Sequence, residues 1–200
     1  MPARLPFLLV LLASLVFAPQ LGAQPNGVSS AIPPLSPAQL RALAFNDLFA
    51  QLRAASDPDL AAAFRAEIER LWSRADSPTA NLLMTRANSL LQAKMGPEAS
   101  ALLDRIVVLY PDWAFAWRRR AQSAILLGDN EGAMLDLDRA LAIEPRDFPA
   151  MIDLAELMRG AGRAGPALAL LRRALALDPQ NEPVVREAEE LRRQVEGEKI

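Results

Sequence analysis

The chain has 200 residues, 52% of them hydrophobic, and a formal net charge of −2, so it can bury the core of one domain and offers no basic surplus for nucleic acid. It contains no His and no Cys, which excludes a His base, a Cys nucleophile, the usual zinc ligands and disulfide bonds. We therefore expect a fold held by packing alone, with no metal and no cofactor.

The first 23 residues have the pattern of a secretory signal peptide. A short basic start that includes Arg4 precedes an apolar run over residues 5–18, and small residues follow as far as Ala23. We predict cleavage after Ala23 and export to the periplasm. The alternative is an uncleaved membrane anchor, which normally needs about 20 apolar residues. That anchor would be the only link of this protein to a membrane.

A linker and a helical hairpin are predicted next. Residues 24–35 contain three prolines and favour a disordered linker. Residues 36–78 predict two helices, because Ser36 and Asp57 are N-cap residues that are each followed by proline. We interpret this segment as a divergent hairpin packed on the element that follows it, which Ser77 opens in the same way.

A 34-residue period begins near residue 80. Proline recurs at Pro111, Pro145 and Pro179, where it stops a helix. Small residues recur with the same spacing at Ala99, Ala133 and Ala167, and at Ala87, Ala121 and Ala155. Glycine at Gly96, Gly128 and Gly162 is expected to end the first helix of each unit in the left-handed conformation. The period predicts three helix–turn–helix units over 80–113, 114–147 and 148–181.

This pattern resembles the tetratricopeptide repeat (TPR), whose small residue early in the second helix and terminal proline are matched in all three units. The early tryptophan of the family is met only by Trp117. The resemblance implies an all-α fold, an α-solenoid of about three units. The stretch over 71–86 also resembles exported TPR proteins of alphaproteobacteria. Residues 182–196 then predict an amphipathic capping helix, and 197–200 a short tail.

The resemblance further implies that the first helix of each unit lines a concave face that binds a protein or peptide. The positions expected on that face are Asn81, Asn88, Phe115, Arg118, Arg119, Gln122, Asp153 and Glu156. Arg118 or Arg119 could hold a carboxylate of the partner through a bidentate pair. Some family members use a complete carboxylate clamp, but Met84 stands where its lysine is expected, so we do not predict that ligand.

The predicted function is a protein-binding adaptor or scaffold of the bacterial cell envelope, with no role in catalysis. One alternative is a self-assembling structural protein that forms a homodimer through the N-terminal hairpin. A remote alternative is an enzyme that uses carboxylate pairs such as Asp136 with Asp138 or Glu189 with Glu190. Residues one or two apart on a helix do not face each other, so these pairs favour a solvated surface.

Overall fold

The computed structural model describes residues 36–197, and the predicted signal peptide and linker lie outside this range. The described range is all-helical and contains no strand. The helices are α1 (Pro37–Ala54), α2 (Pro58–Trp72), α3 (Pro78–Gln92), α4 (Gly96–Leu109), α5 (Ala114–Leu127), α6 (Asn130–Ile143), α7 (Phe148–Gly160), α8 (Ala164–Leu177) and α9 (Glu182–Glu196). None of these helices is long and apolar enough to cross a membrane.

The first three helices begin at the predicted N-caps. The Ser36 hydroxyl accepts from the Gln39 amide at 3.2 Å, and the Gln39 side chain accepts from the Ser36 amide at 2.8 Å, which forms a capping box. Asp57 accepts from the Asp59 amide at 2.8 Å, and Ser77 accepts from the Ala80 amide. These side chains satisfy amides that have no partner within the helix.

The turns inside the repeats differ in one position from the prediction. Gly128 and Gly162 are left-handed, with φ of 78° and 74°, as predicted. In the first repeat the left-handed residue is Lys94, with φ of 56°, and the prediction for Gly96 was wrong. Lys94 is the true 34-residue equivalent of Gly128. Gly96 instead begins α4, where a Cβ would lie 3.0 Å from Leu127 Cδ2.

Small residues let the helices within and between repeats approach closely. Helices α3 and α4, α5 and α6, and α7 and α8 form consecutive packed pairs, and α9 packs on α8. The recurring alanines are fully buried: Ala87, Ala99, Ala121, Ala133, Ala155 and Ala167. A larger side chain at any of them would force the helices apart. On α9, Val184, Ala188 and Leu191 are buried, so this helix covers the end of the array.

Helix α2 and the loop after it run along all three repeats. The residue before each terminal proline faces them, and these residues again differ by 34 positions. The three contacts are Ser77 Oγ with Tyr110 Oη at 3.1 Å, Trp72 Nε1 with Glu144 Oε2 at 3.5 Å, and Arg65 Nη1 with Asp178 Oδ1 at 3.0 Å. Each repeat thus contacts α2 or the loop after it through the residue that precedes its terminal proline.

The hairpin α1–α2 therefore does not rest on the first repeat alone, as the sequence had led us to expect. Its aromatic side chains pack on the start of the third repeat, with ring centroids of Trp72 and Phe148 5.7 Å apart and those of Phe49 and Phe148 6.4 Å apart. The Arg146 guanidinium lies 4.9 Å from the Phe49 ring centroid. Burial of large aromatic side chains dominates such packing, and it decides where the hairpin lies.

Candidate protein-binding groove

The side chains predicted to line the concave face lie on α3, α5 and α7, and we call this surface the A-helix face. The structure divides it into two parts that differ in burial. The closed half consists of Phe115 and Arg118, which lie beneath the hairpin. The open half consists of Leu91, Gln122, Ile125, Leu126, Asp153 and Glu156, which line cavities open to solvent.

Arg118 in the closed half is an internal ion-pairing residue. It is 3% exposed; its Nε donates to Asp147 Oδ2 at 3.0 Å and its Nη2 donates to Glu69 Oε2 at 2.6 Å. Burial alone would lower the pKa of Arg118, but the nearby Asp147 and Glu69 carboxylates outweigh it and raise the pKa above its ordinary value. The guanidinium is thus held charged and paired.

Phe115 and Arg119 adjoin that ion pair. Phe115 is 1% exposed, and its ring stacks on Trp113 with centroids 5.9 Å apart. Arg119 lies 4.7 Å from the Phe115 centroid, donates to Gln122 Oε1 at 2.7 Å and lies 3.7 Å from Glu69 Oε1. Burial lowers the pKa of Arg119, as does the neighbouring charge of Arg118.

Glu69 of α2 occupies the position that the sequence analysis gave to a carboxylate of a partner. Because Arg118 already binds Glu69 and the N-cap residue Asp147, its geometry is that of a link between the hairpin and two repeats. Its predicted contact with a partner stays untested. No pattern in the sequence of α2 marks Glu69, since the pairing depends on where the whole hairpin packs.

The open half contains two adjoining cavities. The smaller, about 290 Å³, is lined by Leu91, Gln122, Ile125, Leu126 and Asp153, and therefore touches all three A-helices. The larger, about 530 Å³, is lined by Ile125, Asn130, Met134, Asp153, Glu156, Leu157, Arg159, Gly160 and Ala161. Together they form a groove with an apolar floor and a polar rim, the usual arrangement of a peptide- or ligand-binding cleft.

Two carboxylates stand at the edge of this groove. Burial raises the pKa of Asp153; Arg118 and a hydrogen bond from Gln122 oppose the shift, while the charge of Glu156 adds to it. Glu156 is exposed and forms no ion pair or hydrogen bond within residues 36–197. The carboxylates lie three residues apart on α7, so they share one face of the helix.

The two predicted asparagines have different surroundings. Asn81 closes the loop before α3, because its Nδ2 donates to the Ala75 carbonyl at 2.9 Å and its Oδ1 accepts from the Ala75 amide at 2.8 Å. Asn88 Oδ1 is buried and has no hydrogen-bond donor. Asn81 is thus engaged in the fold, while Asn88 keeps one acceptor free.

Sequence reasoning missed the apolar floor of the groove. Ile125 and Leu126 are 38% and 47% exposed, and Leu127 beside them is exposed as well. Three successive apolar residues spread over about 200° of a helix, at about 100° per residue, and cannot all face a core that lies on one side. That run was the available signal for an apolar surface at the C-terminal end of α5.

A third cavity, about 570 Å³, lies between the hairpin and the loop that joins α4 to α5, and is lined in part by Trp72, Tyr110 and Trp113. Its aromatic polar atoms are already bonded within the chain, since Trp113 Nε1 donates to the Trp72 carbonyl at 2.9 Å and Tyr110 Oη bonds to Ser77. The polar atoms of these aromatic side chains are therefore engaged within the chain.

The carboxylate pairs considered for catalysis are not brought together as reactive pairs. Asp136 is buried and bonded to Arg120, whereas Asp138 is exposed. Glu189 and Glu190 are both exposed on α9. In the part of the chain that the structure describes, no group of three or more acidic residues is placed to hold a metal ion.

Stacked helix pairs with a groove on the first helix of each pair define the class of α-solenoid repeat proteins. A family model for the tetratricopeptide repeat matches residues 124–190. A TPR repeat-containing protein of Rhizobium etli is 32% identical over 117 residues, which cover 58% of this chain and 57% of that relative. The chain is thus similar to tetratricopeptide-repeat proteins, and it spans just over half the length of that relative.

Solved structures confirm the fold. The first TPR domain of Spaghetti (RPAP3), bound to the HSP90 peptide SRMEEVD, has a TM-score of 0.58 at 19% identity, with 62% of this chain and 98% of that chain covered. The type III secretion chaperone SycD of Yersinia enterocolitica, in complex with a peptide of the translocator YopD, has a TM-score of 0.56 at 15% identity, with the same coverage. At these identities the likeness concerns the fold alone.

Proposed function

We propose that this protein is a non-catalytic adaptor of the bacterial cell envelope that binds a segment of another protein in the open half of its A-helix face. TPR proteins are generally binding scaffolds, and two solved neighbours hold peptides. The observation that carries the proposal is the groove itself. Its floor brings the exposed side chains of Ile125 and Leu126 together with Leu91 in one cavity, and a contiguous apolar surface of this kind is typical of a binding site.

The envelope location is supported by the sequence of residues 1–23, which has the regions of a signal peptide. Expression in a bacterial host followed by fractionation tests it. The expected result is recovery in the periplasm, with a mature protein whose N-terminal sequencing starts at Gln24. A full-length protein that stays in the cytoplasm would contradict export, and a full-length protein in the membrane fraction would support the anchor.

Site-specific photocrosslinking tests the groove. We would place p-benzoylphenylalanine at Ile125, on the floor of the open half, and in a second variant at Leu135, an exposed residue of α6 that lines neither cavity of the open half. Irradiation of the envelope fraction is expected to link one defined protein to position 125. Position 135 should give no such product, because a partner in the groove does not reach it.

Competition completes the test. The crosslink from position 125 should decrease when unlabelled wild-type protein is added, and should persist when an Ile125→Glu competitor is added, because a charge on the groove floor opposes apolar docking. Equal crosslinking from positions 125 and 135, or equal competition by both proteins, would mean that the groove is not the binding surface.

A homodimer through the hairpin is a second candidate, and one observation favours it. Leu40 and Leu43, three residues apart on α1, are each 54% exposed, and Leu60 of α2 is exposed as well. Light scattering at increasing concentration measures the mass directly. A dimer that the Leu40→Glu/Leu43→Glu variant converts to a monomer would support this candidate, whereas a constant monomer mass would rule it out.

A further inference from the structure

The charges around the open half are not balanced. Three guanidinium groups adjoin it, and each is engaged by the chain itself. Arg118 pairs with Asp147 and Glu69, Arg119 with Gln122 and Glu69, and Arg159 with Glu187 at 3.2 Å. The Asp153 and Glu156 carboxylates are not part of these pairs. Neither has a cation within ion-pairing distance in the described part of the chain.

The two carboxylates of the groove are therefore acceptors without a paired cation. Within residues 36–197, Glu156 has no ion-pair or hydrogen-bond partner, and Asp153 has only the neutral Gln122 side chain as a donor. A partly desolvated carboxylate beside a second carboxylate is electrostatically unfavourable, and a cation placed between them relieves both the repulsion and the lost hydration. A ligand that supplies positive hydrogen-bond donors fits this arrangement.

The apolar walls of the larger cavity can contact the aliphatic part of a lysine or arginine side chain. Ile125, Met134 and Leu157 line it below the two carboxylates. Lysine and arginine carry their charge at the end of an apolar stem, so the stem can lie against these walls while the charge reaches the rim. The smaller cavity, with exposed Leu126 beside Leu91, offers room for an aliphatic side chain of the same segment.

We infer that the partner segment is basic and aliphatic, and that it places a lysine or arginine side chain in the larger cavity, with its positive charge between Asp153 and Glu156. This inference rests on the proposed function of the groove and adds the chemistry of the partner. We do not expect an acidic segment to bind, because the guanidinium groups that would pair with its carboxylates are already paired with Glu69, Asp147 and Glu187.

Selection from a random peptide library tests both the proposed function of the groove and the inferred chemistry of the partner. The probe is a phage-displayed library of 12-residue peptides, selected on the immobilised full-length chain and then screened against the Ile125→Gln variant, which makes the groove floor polar without changing its charge. Peptides that bind the wild type and not this variant report on the groove. They are expected to share a lysine or arginine beside aliphatic residues. If such peptides are acidic or uncharged, the inference is wrong and the proposed function stands. If no peptide discriminates between the two proteins, the proposed function fails as well.

A charge-matched pair of variants then locates the cation. Asp153→Asn/Glu156→Gln removes two negative charges from the groove, and Glu189→Gln/Glu190→Gln removes two from the exposed face of α9. In fluorescence anisotropy with a selected basic peptide, the groove variant should weaken binding about tenfold or more, and the α9 variant less than about twofold. Equal weakening by both variants would indicate a long-range charge effect and would overturn the inference.

Salt dependence and folding are the remaining controls. Affinity of the basic peptide for the wild type should fall as salt rises from 50 to 500 mM, and the groove variant should lose most of this dependence. Circular dichroism should show the same helix content in both double variants, because their substituted side chains make no ion pair in the fold. A salt response that is unchanged in a folded groove variant would contradict the inference.

Discussion

The two halves of the A-helix face lie along the same set of helices, but they differ in burial and in ion pairing. In the closed half, Arg118 of α5 is buried and paired with Glu69 and Asp147. Two turns further along α5, Ile125 is exposed on the floor of a groove. A single predicted surface is thus part packing interface and part open cleft, and what separates them is the position of one hairpin.

The largest effect is expected where the hairpin is anchored. Trp72→Ala should lower the free energy of unfolding by about 4 kcal/mol, because Trp72 is buried against Phe45, Phe49 and Phe148 and its loss leaves a cavity. Urea unfolding followed by circular dichroism measures the change. Trp117→Ala is the matched control, since Trp117 is only partly buried and should cost less than half as much. Equal costs would contradict the anchoring role of Trp72.

The next effect separates a structural arginine from a binding one. Arg118→Ala should destabilise the fold by about 3 kcal/mol, because it leaves the buried Asp147 without its cation. Arg105→Ala, at an exposed position of α4, should change stability by less than about 0.5 kcal/mol. If Arg118→Ala keeps full stability and loses partner binding, the closed half is the ligand site after all.

The open half should show the reverse behaviour. Ile125→Glu is expected to lower stability by about 1 kcal/mol, less than Arg118→Ala, since the side chain is 38% exposed, and to abolish peptide binding at the groove. Thermal unfolding and fluorescence anisotropy measure the two quantities on one sample. A large loss of stability would mean that Ile125 belongs to the core and that the two halves do not differ.

The smallest effect concerns pH. Because burial raises the pKa of Asp153, the folded state binds a proton more tightly than the unfolded state, and stability should fall as pH rises above about 4. Asp153→Asn removes this contribution, so the variant should gain stability at pH 7 and show a smaller fall between pH 4 and pH 7. The charged groups that face Asp153 are Arg118, Arg119 and Glu156. An unchanged pH profile in the variant would show that Asp153 is not desolvated.

Local features of the fold, such as helix caps, could be predicted from the sequence at the correct residue. Ser36, Asp57 and Ser77 cap the helices they were predicted to start, because capping depends only on the side chain and the next three amides. The recurring alanines and prolines gave the repeat, since each unit meets its neighbour in the same way. The one local error, at Lys94, came from assuming that glycine always takes the left-handed position.

The site could be predicted only in outline. Asp153, Glu156 and Gln122 do line the open groove, as their positions on the first helix of each repeat implied. Arg118 was placed on the correct helix but is buried in an internal ion pair. The sequence contains no pattern that links Glu69 to an arginine 49 positions later.

For this protein the sequence by itself determined the helices, their caps, the repeat period and the resemblance to TPR proteins, because all of these follow from spacing within about 34 residues. Only the tertiary structure decided where the hairpin lies, and hence which half of the A-helix face is covered. That choice depends on aromatic packing between Trp72 and Phe148 and on ion pairs from Arg65 and Glu69, which join parts of the chain far apart in sequence. Periodicity constrains contacts between neighbouring repeats, but it places no constraint on a segment outside the period.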